Sequence, residues 1–516
     1  MTTVNTATLL EQQAELLPNK TAIVFENEQI SFAELDESIN RCANYFVKKG
    51  IRQGMKVLLF VPPSIEFSTS TFALFKIGAI PVFIDPGMGI KRLRKAVEEV
   101  APEAMVAVPR ARVLAFVFRN EFKEVKIKLG CAKLRERSKN ESSIFKKYEA
   151  AEDEMAAILF TSGGTGKPKG VVYSHKIFMT QTRLLQEMFS LTPADVDFPC
   201  FSLFGFFTIA MGLTSYIPPM DPSRPSEVNP EKLVTSMIDH QVTFAAGSPV
   251  IWTKVADYCL AHDIHIPTLK YLVMFGAPVR EDMHEKWQKI IPNGTTYTPY
   301  GATEALPISN ISGRYILDNT IDASRAGAGT CVGTACDTID MRILNEDEII
   351  VSGDTVTQQY YDNEPETLAS KLYLDGKLFH KVGDVGRIDD QNRLWFWGRK
   401  EHVVRLGEQK MYPLPCETIF TQHPKIKRAA LVGPIIDGRI VPSLVLELHD
   451  GSTTMPATLL KDLRELRDAH EQTKLIERFY LKETFPVDVR HNIKIDRLKL
   501  RAWAEQNPDQ SYCQSS

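Results

Sequence analysis

The chain has 516 residues, of which 44% are hydrophobic and 24% charged, and this ordinary globular composition excludes a disordered or fibrous protein. Its 61 Lys and Arg residues nearly balance 64 Asp and Glu residues, so nothing favours a nucleic acid as the main ligand. Eight scattered cysteines without a Cys-x-x-Cys pair predict reduced, mostly buried thiols. Because the N-terminal residues do not show a basic segment followed by an apolar one, we expect a cytoplasmic protein.

Helix-like and strand-like stretches alternate along the first half of the chain. Helical spacing of apolar residues marks 32–49 and 65–78, and short apolar runs at 56–61 and 80–84 are typical of buried parallel strands. Residues 154–160 predict a further strand, which leads into a glycine-rich turn. Repeated β-then-α units predict an α/β fold, with parallel-rich sheets covered by helices in a large, multi-layered N-terminal domain.

One long uncharged segment, residues 198–220, has the length of a transmembrane helix. It has prolines near both ends and lacks the flanking Lys and Arg residues of a membrane anchor. We therefore predict no transmembrane segment here, but a buried element of a large core or of an apolar pocket. The candidates for lining a substrate pocket are Phe201, Phe204, Phe206 and Phe207.

A second unusual segment is basic. Residues 123–147 contain nine Lys and Arg residues against three Glu residues. A solvated loop or helix face is the favoured interpretation, and a contact with acidic lipid or with a partner protein is the alternative.

The pattern changes from Val382 onward to short strands with turn residues, and these end at Gly398-Arg399. Strands near 429–432 and 441–448 and a charged helix near 457–473 follow. The remaining length suits one small α+β domain. We predict an N-terminal domain over 1–398 and a mobile C-terminal domain over 399–516.

The most informative segment for chemistry is the glycine-rich turn at 161–170, which follows the predicted strand. Glycines let backbone N–H groups approach a phosphate, hydroxyls add donors and lysine adds charge. The spacing fits neither the Walker A pattern nor G-x-G-x-x-G, and a glycine-rich turn can also be purely structural. We predict phosphate binding by Thr161, Ser162, Gly163, Gly164, Thr165, Gly166 and Lys169.

Three further motifs are weak when taken singly. Tyr300-Gly301-Ala-Thr303-Glu304 places a carboxylate beside a hydroxyl, which is a plausible Mg²⁺ site near a polyphosphate, although such a pair is usually an exposed helix start. Asp384 is suited to accept hydrogen bonds from a ribose diol, although Gly-Asp dipeptides are usually turns. A flat backbone edge against which a base can lie is offered by Gly276, Ala277 and Pro278. Zinc-ligand spacing, H-E-x-x-H and G-x-S-x-G patterns do not occur in the sequence.

Taken in order, these motifs resemble the adenylate-forming superfamily of acyl-CoA synthetases, luciferases and peptide-synthetase adenylation domains. The glycine-rich signature, Y-G-x-T-E, G-D-x-G and the G-R hinge motif occur in sequence, and the likeness spans nearly the whole chain. The resemblance implies that the glycine-rich turn and Lys169 wrap the phosphates of ATP and that Glu304 holds Mg²⁺. It also implies that residues 276–278 and Tyr300 border adenine, that Asp384 and Arg399 bind ribose, that Glu401 is the hinge residue and that Lys494 is the catalytic lysine.

Several segments depart from the common pattern. Phe198-Pro-Cys-Phe-Ser-Leu-Phe204 lacks the histidine that many CoA ligases carry there, Gly164 replaces Ser or Thr, and Ile493 replaces the glycine before the catalytic lysine. Residues 201–204, 220–225, 414–417 and 485–494 resemble the corresponding segments of one branch of the superfamily, the olefin-biosynthesis β-lactone synthetases. That likeness implies adenylation of a fatty or β-hydroxy fatty acid, followed by ring closure to a β-lactone.

Two other functions stay open at this stage. A medium- or long-chain acyl-CoA synthetase shares the first step but uses coenzyme A in the second, and an inactive nucleotide-binding scaffold catalyses neither. Partners other than ATP and the acid, such as enzymes of the same pathway or further copies of the chain, are compatible with the sequence but not indicated by it.

Overall fold

A computed structural model describes residues 4–161, 167–345, 347–487 and 495–513. Helices occur along the whole chain, on the sheets of the first three quarters and again in the last quarter. Their bounds are α1 (Ala7–Leu16), α2 (Phe32–Lys48), α3 (Ile65–Ile77), α4 (Ile90–Val100), α5 (Pro109–Val117), α6 (Leu134–Ser138), α7 (His175–Phe189), α8 (Ser202–Ala210), α9 (Pro230–Asp239), α10 (Pro249–Ala261), α11 (Glu281–Ile290), α12 (Gly313–Tyr315), α13 (Ile321–Ala323), α14 (Glu364–Ser370), α15 (Pro413–Thr421), α16 (Ala457–Ala469) and α17 (Arg497–Gln506).

The strands are short and follow the same alternation in the first half. Their bounds are β1 (Thr21–Phe25), β2 (Glu28–Ser31), β3 (Lys56–Phe60), β4 (Ile80–Ile84), β5 (Ala104–Ala107), β6 (Ile127–Gly130), β7 (Met155–Thr161), β8 (Lys169–Ser174), β9 (Val196–Pro199), β10 (Thr214–Tyr216), β11 (Phe244–Gly247), β12 (Tyr271–Met274), β13 (Thr295–Tyr297), β14 (Tyr300–Ala302), β15 (Ala305–Asn310), β16 (Thr330–Ala335), β17 (Ile339–Leu344), β18 (Glu348–Gly353), β19 (Lys371–Leu374), β20 (Lys377–Ile388), β21 (Arg393–Arg399), β22 (Val404–Leu406), β23 (Gln409–Met411), β24 (Ile426–Val432), β25 (Ile435–Ile436), β26 (Arg439–Ile440), β27 (Ser443–Leu448), β28 (Arg478–Leu481) and β29 (Tyr512–Cys513).

Three large sheets build the body of the protein. One has the order β13-β12-β11-β9-β10-β1-β2, and a second has the order β6-β5-β3-β4-β7-β8; all neighbours in both are parallel except the last pair of each. The third sheet is antiparallel, with the order β14-β15-β16-β21-β20-β18-β17, and β19 pairs with β20. The predicted α/β class with parallel-rich sheets is confirmed.

Local sequence signals explain where these elements begin. Ser31 and Glu34 form a capping box at the start of α2, and Ser64 caps α3, which ends at Gly78 in the left-handed conformation with φ of 74°. The apolar stripe predicted over 32–49 is buried, and Leu35, Ile39 and Phe46 are inaccessible to solvent. Hydrophobic periodicity therefore placed the elements of the first half correctly.

The uncharged segment at 198–220 is divided among β9, α8 and β10, in agreement with the predicted buried element. Within the described ranges, no helix combines the length and the apolar character needed to cross a membrane. The seven cysteines whose side chains are described are free thiols, and six of them are buried, as predicted.

The chain leaves the antiparallel sheet at Arg399, where β21 ends. Beyond it, the mixed sheet β24-β27-β28-β29 is covered by α15, α16 and α17. Apolar side chains from residues 404–512 fill two cores of their own here. This small α+β unit contacts the body of the protein at several points, and at one of them Asp347 accepts hydrogen bonds from Lys410 at 3.0 Å and from Tyr412 at 2.9 Å.

Candidate active site

The glycine-rich turn connects two antiparallel strands, β7 and β8. The hairpin is in register up to its tip, where Phe160 pairs with Gly170 and Thr161 with Lys169. A Cβ at Gly170 would lie 3.0 Å from the ring of Phe160, so a larger residue here would require that ring to move. The sequence-predicted residues Ser162, Gly163, Gly164, Thr165 and Gly166 and the side chain of Thr161 lie outside the described residues.

Lys169, the first residue of β8, extends its side chain towards a segment that the sequence motifs did not include. Its ammonium group pairs with the Glu366 carboxylate and lies 5.4 Å from the centre of the Tyr360 ring. The segment lies close because the Tyr361 N–H donates to the Gly170 carbonyl at 2.7 Å. The carboxylate of Glu366 and the ring of Tyr360 therefore hold the ammonium group of Lys169, three residues after the glycine-rich run ends at Gly166.

Glu304 lies at the tip of a second hairpin, formed by β14 and β15, rather than at a helix start. The hairpin is anchored to β8 because the Tyr173 hydroxyl donates to the Thr303 carbonyl at 2.7 Å. The Tyr360 hydroxyl donates to Oε1 of Glu304 at 2.7 Å, and burial together with this carboxylate raises the pKa of Tyr360. Tyr360 thus links the predicted magnesium ligand to the predicted phosphate-binding lysine.

The half-buried Lys371 supports the backbone of the Glu304 turn. The Thr357 N–H and hydroxyl donate to the Glu304 carbonyl at 2.8 and 3.1 Å, and Lys371 donates in turn to the Thr357 carbonyl. Burial lowers the pKa of Lys371 to about 8, while the charge of Glu304 acts in the opposite direction. Burial, with the positive charges of Lys371 and Lys169, also keeps His380 neutral by lowering its pKa well below the ordinary value.

Asp384 lies within β20, not in a turn, and it joins two other predicted residues. Its Oδ2 accepts from the Tyr300 hydroxyl at 2.7 Å, and its Oδ1 accepts from Nη1 of Arg399 at 2.9 Å. The charge of Asp384 raises the pKa of Arg399, and burial followed by the same charge raises that of Tyr300. A carboxyl group accepts hydrogen bonds, which is the chemistry that contact with a ribose diol requires.

The side chains fit a magnesium ion that is held mainly by a polyphosphate. The described residues contain no cluster of three or more His, Cys, Asp and Glu able to hold a metal ion by itself. Mg²⁺ is normally bound by one or two carboxylates together with phosphates and water. Glu304 can supply such a carboxylate, because only its Oε1 is engaged by another described side chain.

The aromatic candidates separate into two groups. Phe204 stacks on Phe275 with ring centres 5.5 Å apart, and Phe201 meets the same ring at 6.0 Å. Both are half-buried, as is Phe207, and Phe275 directly precedes Gly276 at the carboxyl end of β12. Phe206 is buried instead and stacks on Phe72 at 4.8 Å, so it belongs to the main core.

The remaining candidates lie at chain turns. The exposed Gly276 has φ of 88°, so the loop with Ala277 and Pro278 turns sharply at the sheet edge. Glu401 lies in a short turn directly after Arg399, with its carboxylate 3.7 Å from Nε2 of His402. Lys494 lies outside the described residues.

The sequence motifs missed Tyr360, Glu366 and Lys371. A signal for the first two exists, since Asn363 caps α14 by accepting from the Glu366 N–H at 3.3 Å, and Asn-x-x-Glu is a helix-start pattern. The pattern predicts the helix but not that its carboxylate meets Lys169. Nothing local in the sequence distinguishes Lys371 from an exposed lysine.

Comparisons with known proteins agree with this geometry. The family described as AMP-binding enzyme matches residues 10–361. An olefin beta-lactone synthetase of Xanthomonas campestris pv. campestris is 38% identical, with 92% of this chain and 91% of that protein covered. A second olefin beta-lactone synthetase, of Stenotrophomonas maltophilia, is 37% identical with the same coverage.

A solved structure shows the same fold at lower identity. ATP-bound MatB from Rhodopseudomonas palustris superimposes with a TM-score of 0.80 at 21% identity, covering 97% of this chain and 99% of that one. With a family match over more than half of its length and relatives above 30% identity along nearly all of it, the chain belongs to the AMP-binding enzymes, which are adenylate-forming ligases.

Proposed function

We propose that the protein activates a fatty or β-hydroxy fatty acid with ATP and closes the β-hydroxy acyl adenylate to a β-lactone. The observation that carries this proposal is the 38% identity, over 92% of the chain, to an olefin beta-lactone synthetase. The geometry supports the first step, because the side chains proposed for it, Lys169, Glu304, Asp384 and Arg399, all lie on the two hairpins or on the strands that contact them.

The proposed first step joins the acid to AMP. A carboxylate oxygen attacks the α-phosphorus of ATP, the bond to the bridging oxygen breaks, and pyrophosphate leaves. Charge develops on the phosphoryl oxygens, so ordered N–H donors and cations contribute most of the stabilisation. Lys169 pairs with Glu366 in the structure, so nucleotide phosphates must compete with that carboxylate for the ammonium group.

The nucleotide roles that we propose follow the placement of the side chains. Residues 161–166 and Lys169 would surround the phosphates, and Glu304 would hold Mg²⁺, which neutralises phosphate charge when bound. Asp384 would accept from the ribose hydroxyls while its contact with Arg399 holds the carboxyl group in position, and Tyr300 with residues 276–278 would border adenine. Lys494 would reach the reacting phosphate when the domain over 399–516 turns about Glu401, and reopening would withdraw it.

The proposed second step is intramolecular. The β-hydroxyl oxygen of the acyl adenylate attacks the activated carbonyl carbon, a carbon–oxygen bond closes the four-membered ring, and AMP leaves as the hydroxyl proton is released. An internal nucleophile gains from proximity and needs no binding site for a second substrate. The absence of histidine in the 198–204 stretch fits a reaction without a thiol to activate. Phe201 and Phe204 are the proposed contacts for the acyl chain.

Two measurements test this function and separate it from its rivals. Pyrophosphate release is measured first with ATP, Mg²⁺ and fatty acids of several lengths, and we expect release that depends on the acid. Failure with every acid would favour the inactive scaffold. Mass spectrometry of a β-hydroxy acid reaction then identifies the product with and without coenzyme A. We expect the lactone in both reactions, and a product formed only with coenzyme A would replace the lactone assignment by an acyl-CoA ligase.

A further inference from the structure

Helix α5 is apolar on both of its sides and yet lies on the surface. Its inner side packs into the core of the six-stranded sheet through Ala115, which is fully buried, and half-buried Leu114. Its outer side presents Val113, Phe116 and Val117, which are 62, 70 and 62% exposed. Positions i, i+3 and i+4 of a helix share a face, so these three side chains form one apolar stripe. A stripe of this kind, on a helix that is already packed, indicates a binding surface.

Exposed cationic side chains surround this stripe. Residues 109–128 contain six Lys and Arg residues and two Glu residues, within a chain that carries a net charge of −3. Arg110, Arg112 and Arg119 are exposed, and the Arg119 guanidinium lies 5.8 Å from the centre of the Phe116 ring. The local charge is therefore strongly positive where the apolar side chains protrude.

The two acidic residues of the segment do not cancel this charge at the stripe. Glu121 pairs with Arg94 of the neighbouring helix α4, and Glu124 lies 4.0 Å from Lys126. Further exposed cations, Lys91, Arg92 and Lys95, lie on α4. The positive field thus extends over two adjacent helices.

We propose that this α5 patch, made of Val113, Phe116, Val117, Arg110, Arg112 and Arg119, docks the protein on the surface of an anionic lipid bilayer. Exposed aromatic and aliphatic side chains of a surface helix insert into the interfacial region, while long basic side chains reach the lipid phosphates. The cations that surround the exposed apolar side chains complement the charge of such a surface, and this complementarity favours anionic lipid as the occupant. A contact with acidic lipid was the alternative interpretation of the basic residues 123–147, and the proposal now includes α5 in such a contact. It does not depend on the reaction proposed above.

Co-sedimentation of the full chain with vesicles tests the docking. One vesicle preparation is phosphatidylcholine alone, and the other contains phosphatidylcholine and phosphatidylglycerol in equal parts. We expect binding to the mixed vesicles only, and weaker binding as salt shortens the screening length. Each basic residue near an anionic surface contributes about fivefold in affinity, so Arg110→Gln with Arg112→Gln and Arg119→Gln should lower the affinity roughly a hundredfold.

A second variant tests the apolar stripe. Val113→Ser, Phe116→Ser and Val117→Ser together should abolish sedimentation, whereas Leu16→Ser, at a site that is 73% exposed on α1, should bind like the wild type. Circular dichroism and thermal unfolding check that each variant is folded. Equal binding to both vesicle types, or binding unchanged in either triple variant, would overturn the proposal. Failure to bind vesicles, together with self-association that the stripe variant loses, would assign the patch to a second copy of the chain.

Discussion

Replacing Asp197 by asparagine should change the stability of the protein, measured relative to wild type, in a way that depends on pH. The variant should gain stability relative to wild type as the pH rises from 5 to 8. Asp197 lies on β9 with no exposed surface, and its Oδ2 accepts from the Thr208 hydroxyl at 2.5 Å. Its Oδ1 has no hydrogen-bond partner among the described residues. Burial raises the pKa of this carboxyl from 3.8 to about 7. The folded protein therefore holds a proton here that the unfolded chain has already lost at pH 5.

The magnitude follows from that difference in pKa. Stability falls with pH wherever the folded state binds more protons than the unfolded state, which for Asp197 is the window between about 4 and 7. At 1.36 kcal/mol for each pKa unit, the loss between pH 5 and pH 8 is about 3 kcal/mol. Asparagine cannot ionise, so the stability difference between Asp197→Asn and wild type should shift by about this amount in favour of the variant.

The assay is thermal and urea unfolding of both proteins at pH 5 and pH 8, compared as differences in midpoint. Asp195→Asn is the matched control, because Asp195 is also buried but accepts from the Thr192 N–H at 2.9 Å and from Lys270 at 3.0 Å. Its pKa lies below the ordinary value of 3.8 despite burial, so it is ionised throughout this range and its removal should destabilise equally at both pH values. A difference between Asp197→Asn and wild type that does not change with pH would refute the reasoning.

Three other variants test the proposed site by steady-state kinetics. Lys494→Ala should slow adenylation far more than it raises the KM for ATP, since its contact is proposed for the transition state; an unchanged rate would remove it from the mechanism. Tyr300→Phe removes a hydrogen bond to the Asp384 carboxyl group and should raise the KM for ATP about tenfold while the KM for the acid holds. Phe204→Asp should raise the KM for long acyl chains at constant ATP affinity, and a fall in ATP affinity instead would place the acyl pocket elsewhere.

The sequence predicted those parts of the fold that depend on local pattern. Apolar runs such as 56–61 and 80–84 became β3 and β4 because a strand buried on both faces needs a continuous apolar sequence. The Thr303–Glu304 pair is not at a helix start, which is where such a pair is usually found. It lies in a hairpin instead, because β14 and β15 on either side of it pair with each other. Asp384 likewise lies in a strand because β20 pairs with both β18 and β21.

The partners of the site residues were beyond sequence reasoning. Tyr360 meets Glu304 across 56 residues of chain, and Glu366 meets Lys169 across 197. Such contacts form only when the sheets assemble, and the spacing of apolar residues along the chain does not predict them. Lys371 shows the same limit, because its low pKa comes from burial in the folded protein.

The residues proposed to bind the nucleotide lie before the C-terminal unit, and several of them lie on or next to the β14–β15 hairpin. Tyr300 and Glu304 lie on one hairpin, so the contacts proposed for the base and ribose and those proposed for the phosphates come from the same short segment of chain. Arg399, which holds Asp384, is the last residue of β21, and the chain then turns into the C-terminal unit with cores of its own. If the proposed rotation about Glu401 moves only the chain beyond that residue, the ribose contacts proposed for Asp384 and Arg399 would stay in place while Lys494 moves, because Arg399 precedes the hinge and pairs with Asp384 in the antiparallel sheet.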